Sequence, residues 1–203
     1  MRKKQISTNQ QIKESARKLF LEKGFDATSI RDIAEAAHSN VALLNYYFRS
    51  KQGLFNQIVA DIVAEILKPA LSIFQQEGLS VNDAMDQLVG TYTDYFNAHP
   101  EYPVFVMDEI HRDPAFVLSL IPVSELEQTP FVSQLPESMK ESVGGVPYYV
   151  HLIINALSML LLPMFVKPMI EADSRLGKQA FADLSAIRKQ MIPIWINTMV
   201  EMV

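Results

Sequence analysis

Apolar residues recur at helical spacing from the start of the chain. Ile12, Ala16, Leu19 and Phe20 fall on one face of a first helix, and Gly24 follows them as a residue that tolerates the positive φ of a helix end. Ile30, Ile33, Ala34 and Ala37 repeat at i, i+3, i+4 and i+7, which predicts a short second helix capped by Thr28 or Ser29. Ser29 and Asp32 have capping-box spacing, with Asp in place of the usual Glu or Gln. After the break at His38-Ser39, Asn40 is a good N-cap for a third helix through about Phe48. "RSK" (49–51) interrupts that helix. A longer one is expected from near Gln52 towards Leu67, with Pro69 ending or kinking it.

Beyond this point the pattern remains helical, with turns expected at Glu77-Gly78, His99-Pro100, Asp113-Pro114 and "VGGVP" (143–147). The stretch 118–142, with Pro122, Pro130 and Pro136, is the least regular and is expected to be a mobile loop. No strand pattern of useful length, internal repeat or low-complexity segment is present. The expected fold is all-α: a three-helix N-terminal bundle over residues 5–65, ending in a connecting helix, and a larger helical domain over 66–203. The run "YYVHLIINALSMLLLPMFV" (148–166) is nearly long enough to span a bilayer. It carries His151, Asn155, Ser158 and Pro163, and no second segment resembles it. A helix buried in the core and at a subunit interface is the better reading, and no membrane partner is expected.

Composition narrows the picture. The 203 residues are 49% hydrophobic with mean hydropathy +0.08, enough for a substantial core. Cysteine is absent, which excludes disulfides, thiolate metal sites and cysteine nucleophiles and suits a reducing cytoplasm. The start "MRKKQISTNQQIKES" is basic and polar, unlike a signal peptide. Net charge is −5, but it is unevenly spread. Residues 1–51 hold ten Lys and Arg against five acids, while the rest of the chain holds eight against eighteen. A basic head on an acidic body points to a polyanion partner for the head.

Catalytic signatures are missing: the sequence has no phosphate-cradling glycine loop, nucleophile elbow or H-E-x-x-H, so an enzyme is not expected, nor is a cofactor. His99, His111 and His151, with Asp108 and Glu109, lack the paired spacing of metal ligands, and no metal is expected.

Two short helices joined by a three- to four-residue turn make a helix-turn-helix, with the motif at 28–48 and its second helix suited to a major groove. Leu44 and Phe48, four apart, would anchor the third helix against Ile33 and Ala37. Val41, Ala42, Asn45, Tyr46 and Arg49 would then face outward, an unusually apolar and aromatic set for a solvated surface. It suits a groove: Val41 and Ala42 can meet thymine methyls, Asn45 can pair with adenine, and Tyr46, Tyr47 and Lys51 can hold phosphates.

The segment "TSIRDIAEAAHSNVALLNYYFRSKQGLF" (28–55), with "LFLEKGFDATS" (19–29) before it, resembles the TetR/AcrR family of bacterial transcriptional regulators. The likeness covers residues 10–60. His38 stands where the family usually has glycine, Ser39 for valine, Val41 for a frequent lysine, and Asn45 for a common tyrosine. The resemblance implies DNA contacts by Ser29, Arg31, Asn40, Val41, Ala42, Asn45, Tyr46, Tyr47 and Lys51. Arg31 is the candidate guanine reader, the alternative being a surface ion pair with Asp32 or Glu35; for Lys51 the alternative is a solvated side chain. Arg2, Lys3 and Lys4 would form an arm adding affinity without specificity.

The resemblance further implies a homodimeric repressor on a pseudo-palindromic double-stranded DNA operator, cytoplasmic, with a C-terminal domain that dimerises and binds a small apolar or amphipathic effector. The helices at about 147–166 and 176–202 would form the dimer interface, the second kinked at Pro193. Phe96, Phe105, Phe116, Phe165, Trp195 and the ten Met can line a pocket or simply fill the core. A regulator that dimerises without answering to an effector is the alternative.

Overall fold

The computed structural model describes residues 7–143, 145–173, 175 and 177–201, so the expected arm of Arg2, Lys3 and Lys4 lies outside the described residues. The chain is helical nearly throughout and divides into two compact units: residues up to Glu65 together with Phe105–Leu120, and Ile66–Val104 together with the chain from Ile121 onward.

The first unit begins with α1 (Thr8–Lys23), capped by Ser7, whose Oγ accepts the Gln10 N–H at 3.4 Å. Ile12, Ala16 and Phe20, four apart, are its buried stripe, and Gly24 ends it at φ 77°. Helix α2 (Ile30–Ala36) and α3 (Val41–Phe48) follow and pack on each other and on α1. Helix α4 (Lys51–Phe74) begins in this unit, burying Leu54, Phe55, Ile58, Val59 and Ile62. Two ion pairs tie α4 to α1: Lys13 with Asp61 at 2.5 Å, and Arg17, whose guanidinium donates to both Glu65 oxygens at 2.7 and 2.5 Å.

The sequence places 105–120 well past the head, yet this stretch folds with it. It comprises most of α6 (Glu101–Arg112) and α7 (Pro114–Ser119). The Phe105 ring meets Phe55 at 5.6 Å, and Phe55 meets Phe20 and Phe25 edge-on at 4.9 and 4.8 Å.

In the second unit, α5 (Val81–Ala98) contributes Ala84, Met85, Val89, Tyr92 and Phe96 to the core. Helix α4 outruns the expectation: it continues through Pro69 to Phe74. Proline removes one ladder donor, but Ile73 and Phe74 are drawn into the core, and the Tyr92 hydroxyl donates to the Ile66 carbonyl in the same turn at 2.5 Å. The Phe74 ring stacks on Phe131 at 4.4 Å.

The expected loop at 118–142 is instead a chain of short helices: the end of α7, then α8 (Val123–Glu127), α9 (Pro130–Ser133) and α10 (Glu137–Lys140). Its prolines start helices rather than break them. Pro130 opens α9 inside its first turn, and Pro122 and Pro136 sit at N-cap positions. Phe131, Leu135 and Met139 are buried and hold the run to the core. "VGGVP" forms a small antiparallel pair, β1 (Ser142–Val143) with β2 (Val146–Pro147), Val143 opposite Val146.

Two long helices complete the unit, α11 (Tyr148–Ala172) and α12 (Gly177–Glu201), packed on each other and on α5. Helix α11 contains Pro163 and Pro168, and α12 contains Pro193, without ending at any of them. By length and composition α11 could cross a membrane, with mean hydropathy 1.9 over its most apolar window. It buries Leu152, Ala156, Leu160, Pro163 and Met164 and leaves Ile154, Leu157, Leu162 and Met169 exposed.

Candidate nucleic-acid interface

The start of α2 is fixed by a reciprocal cap. The Asp32 N–H donates to Ser29 Oγ at 3.1 Å and the Ser29 N–H donates to an Asp32 carboxylate oxygen at 2.9 Å. Those Ser29 hydrogen bonds hold the Asp32 carboxyl below the usual carboxylate range. Asp32 is therefore occupied, and the exposed Arg31 makes no ion pair among the described residues, leaving its guanidinium for an outside partner.

The turn after α2 is a Schellman motif: the Ser39 N–H donates to the Ala34 carbonyl at 2.8 Å and the His38 N–H to the Glu35 carbonyl at 3.0 Å. It puts His38 at φ 49°, the left-handed region in which glycine is ordinarily found. Asn40 then caps α3, its Oδ1 accepting the Leu43 N–H at 2.8 Å and its side-chain NH₂ still free to donate.

Helix α3 buries Leu44 completely and Phe48 nearly so, while Ile33 and Ala37 are buried on the side of α2. Turning those two residues inward presents Ala42, Asn45, Tyr46 and Tyr47 to solvent, with Val41 half-buried. Tyr46 is 79% exposed, Tyr47 is 39% exposed, and their rings meet edge-on at 5.2 Å. Leu43 and Arg49 also face out, and Leu43 escapes the sequence reading because an apolar residue beside an anchor passes for core. Arg49, at φ 65°, closes the helix, and Ser50 opens α4 by accepting the Gly53 N–H on its Oγ at 3.0 Å. At Gly53 a Cβ would come within 2.5 Å of the Phe48 carbonyl oxygen, so glycine is needed where the two helices nearly touch.

Lys51 is neither solvated nor simply turned outward. Its ammonium donates to the Phe25 and Thr28 carbonyls, both at 2.7 Å, and sits 4.0 Å from the centroid of the Phe25 ring. Two of its three N–H groups thus brace the turn that delivers Ser29, and one remains. The same ring carries the Arg112 guanidinium at 4.5 Å, which also lies 4.3 Å from Phe55 and is held by both oxygens of the buried Glu109 at 2.7 and 3.0 Å. Thr28, buried, donates to the Gly24 carbonyl at 2.8 Å. The α1–α2 turn is therefore pinned from α4 and α6.

Among the described residues no three His, Asp or Glu side chains converge as metal ligands. His99 stacks on Tyr102 at 4.8 Å, and His111 Nδ1 lies 2.8 Å from the Met107 carbonyl in its own helix. The aromatics considered for a pocket are dispersed: Phe96 is core in the second unit, Phe105 belongs to the first, and Trp195 is partly exposed.

A capped second helix, a tight turn and a third helix presenting polar and aromatic side chains from a basic head define a helix-turn-helix DNA-binding protein. Residues 12–58 match the family profile of bacterial regulatory proteins, tetR family. The chain is 30% identical over 163 residues, 78% of its length and 77% of the relative's, to the Bacillus subtilis protein named "Probable HTH-type transcriptional regulator YttP". It is also 30% identical over 106 residues, 52% of its length and 50% of the relative's, to the HTH-type transcriptional repressor NicS of Pseudomonas putida. The crystal structure of the Streptomyces coelicolor protein named "putative transcriptional regulator SCO4942" shares the fold, with TM-score 0.65 and 16% identity over 95% of this chain and 98% of that one. The chain belongs to the TetR family of DNA-binding transcriptional regulators.

Proposed function

We propose that this regulator is a ligand-responsive repressor that binds a pseudo-palindromic operator as a homodimer. The observation that carries the reading is the outward face of α3, where Asn45, Tyr46 and Tyr47 stand exposed beside two side-chain-capped helix starts. Val41, Ala42 and Asn45 meet base edges, and Arg31 reads guanine through its free fork. Ser29, Asn40, Tyr46 and Tyr47 hold phosphates, as does the remaining N–H of Lys51. NicS being a repressor favours repression over activation.

In the second unit α11 and α12 leave Ile154, Leu162, Ile187, Ile194 and Trp195 exposed, an apolar face of the kind a partner subunit covers. Residues 5–65, with 105–120 folded in the same unit, serve as the DNA-binding head, and the rest of 66–203 as the dimerising and effector-binding part. An effector favouring one head spacing would release the operator, because paired heads fit successive grooves only near a separation of about 34–36 Å. The reading places the protein in the cytoplasm and assigns it no catalytic step.

The test is DNA binding to the protein's own upstream region and to a scrambled duplex across a salt series. Specific, salt-sensitive binding is expected, and Arg31→Ala should lose about 1–3 kcal/mol per half-site together with base preference at one position. Equal weak binding to both duplexes, or unchanged discrimination by Arg31→Ala, would refute the assignment.

A further inference from the structure

The second unit holds a half-buried guanidinium that pairs with no carboxylate among the described residues. Arg188, on α12, has an Nε shielded from solvent and without a hydrogen-bond partner. Its Nη2 donates to the Met159 carbonyl of α11 at 2.5 Å. That carbonyl is available because Pro163, four residues on, has no N–H to offer it. No ion pair joins Arg188 to a carboxylate among the described residues, and Asp94 is already bound by Lys189 at 2.7 Å. The Nε–H is shut off from water without an acceptor, which is costly unless one enters beside it.

Beside it is a gap of about 10 Å³ lined by Thr93, Ser185 and Arg188 among the apolar Met159, Pro163 and Ile192. Thr93 and Ser185 are both buried, and Ser185 exchanges two bonds with Asn97: the amide donates to its Oγ at 2.9 Å and its hydroxyl donates to Asn97 Oδ1 at 3.3 Å. The gap has room for one water-sized particle. Water would supply a dipole to the guanidinium but no charge.

We propose that Arg188, with Thr93 and Ser185, forms an anion site between α5, α11 and α12 that takes a chloride ion, the flexible Met159 side chain shifting to widen the water-sized gap. The Arg188 Nε–H of α12 and the Thr93 hydroxyl of α5 are its donors, and the apolar part of the lining strengthens the attraction. A small organic acid would present the same chemistry through its carboxylate, with Met159 and Met164 displaced to admit it. The site does not depend on whether the unit answers to an effector or whether the protein represses.

The experiment is thermal unfolding of the full-length protein at constant ionic strength, with sodium methanesulfonate as the reference salt replaced stepwise by chloride, bromide, acetate or butyrate. Chloride and bromide should raise the midpoint saturably by about 3–6 °C. Arg188→Met should abolish the response, and Thr93→Val should shift its half-saturation about tenfold or more upward. Bromide should also give an anomalous diffraction peak beside Arg188. A larger, Arg188-dependent shift with acetate and butyrate would keep the site and make an organic acid its source. No saturable shift in the wild type, or the same shift in Arg188→Met, would overturn the proposal. Should Arg188→Met fail to fold, Thr93→Val and the bromide peak decide alone.

Discussion

His38 is a histidine at a glycine's position. Its φ of 49° is imposed by the Schellman bonds that end α2, and a side chain there carries a steric penalty that glycine avoids. His38→Gly should therefore stabilise the protein by about 0.5–1 kcal/mol, the relief being partly offset by the freer unfolded chain. Chemical denaturation reads this directly, and a loss of stability would show that the ring makes compensating contacts. Lys51 illustrates the opposite surprise. Spacing alone casts it as a phosphate ligand, whereas its ammonium is bound to the Phe25 and Thr28 carbonyls. Lys51→Met should lower stability by about 1–3 kcal/mol before any DNA is added, because two charge-assisted bonds are lost and two carbonyls are left short of a donor. Melting at the wild-type temperature would mean those bonds contribute nothing. A sequence could not have revealed this role, because the carbonyls belong to a turn more than twenty residues upstream.

At the scale of the element, the short helices were the most legible. Caps at Ser29 and Asn40 and the apolar pairs Ile33–Ala37 and Leu44–Phe48 are local signals, and α2 and α3 begin and end where those signals put them. Proline was read correctly inside the last two long helices, at Pro163 and Pro193, and misread at Pro69 and in the 118–142 stretch. Pro69, Pro163, Pro168 and Pro193 lie inside helices, while Pro122, Pro130 and Pro136 begin them, because packing outweighs the loss of one donor. Helix α4 depends on Tyr92 near its proline. Burial pushes the Tyr92 hydroxyl up to about 12 from 10. A group harder to ionise in the folded state contributes stability that is complete below the unfolded value near 10. That stability is lost as pH rises towards 12, reaching about 2–3 kcal/mol. Urea midpoints at pH 9 and 11.5 should fall more steeply for wild type than for Tyr92→Phe, which has nothing to ionise there. The variant itself should be about 1 kcal/mol less stable at neutral pH, since the part-buried hydrogen bond to the Ile66 carbonyl is lost. Parallel slopes in the two proteins would show that Tyr92 ionises as freely folded as unfolded.

For the whole molecule, the sequence carried the class of protein but not its wiring. Helical periodicity pointed to an all-α chain and the basic N-terminal quarter to a polyanion partner, while the regulator class rested on the resemblance of residues 10–60 to the TetR/AcrR family. The exposed side chains on α11 and α12 are long-range facts: Ile154 and Ile194 look like core in any local window, and only the fold shows them uncovered. If they form the subunit interface, Ile194→Glu should shift the protein from dimer to monomer in sedimentation and abolish tight operator binding, while the helical signal stays intact. A dimer that survives the substitution would place the interface elsewhere.

The contribution of Phe105, Glu109 and Arg112 to the head also bears on how this protein could be recombined. Exchanging DNA-reading modules between regulators by cutting after the connecting helix would leave Phe25 and Phe55 without the guanidinium that covers them and expose an aromatic cluster to water. A chimera carrying only the first 65 residues should express poorly or aggregate, whereas one that also transplants 105–120 should stay soluble. The compact unit of this DNA reader is a discontinuous one, so a single crossover after residue 65 separates Phe25 and Phe55 from Arg112.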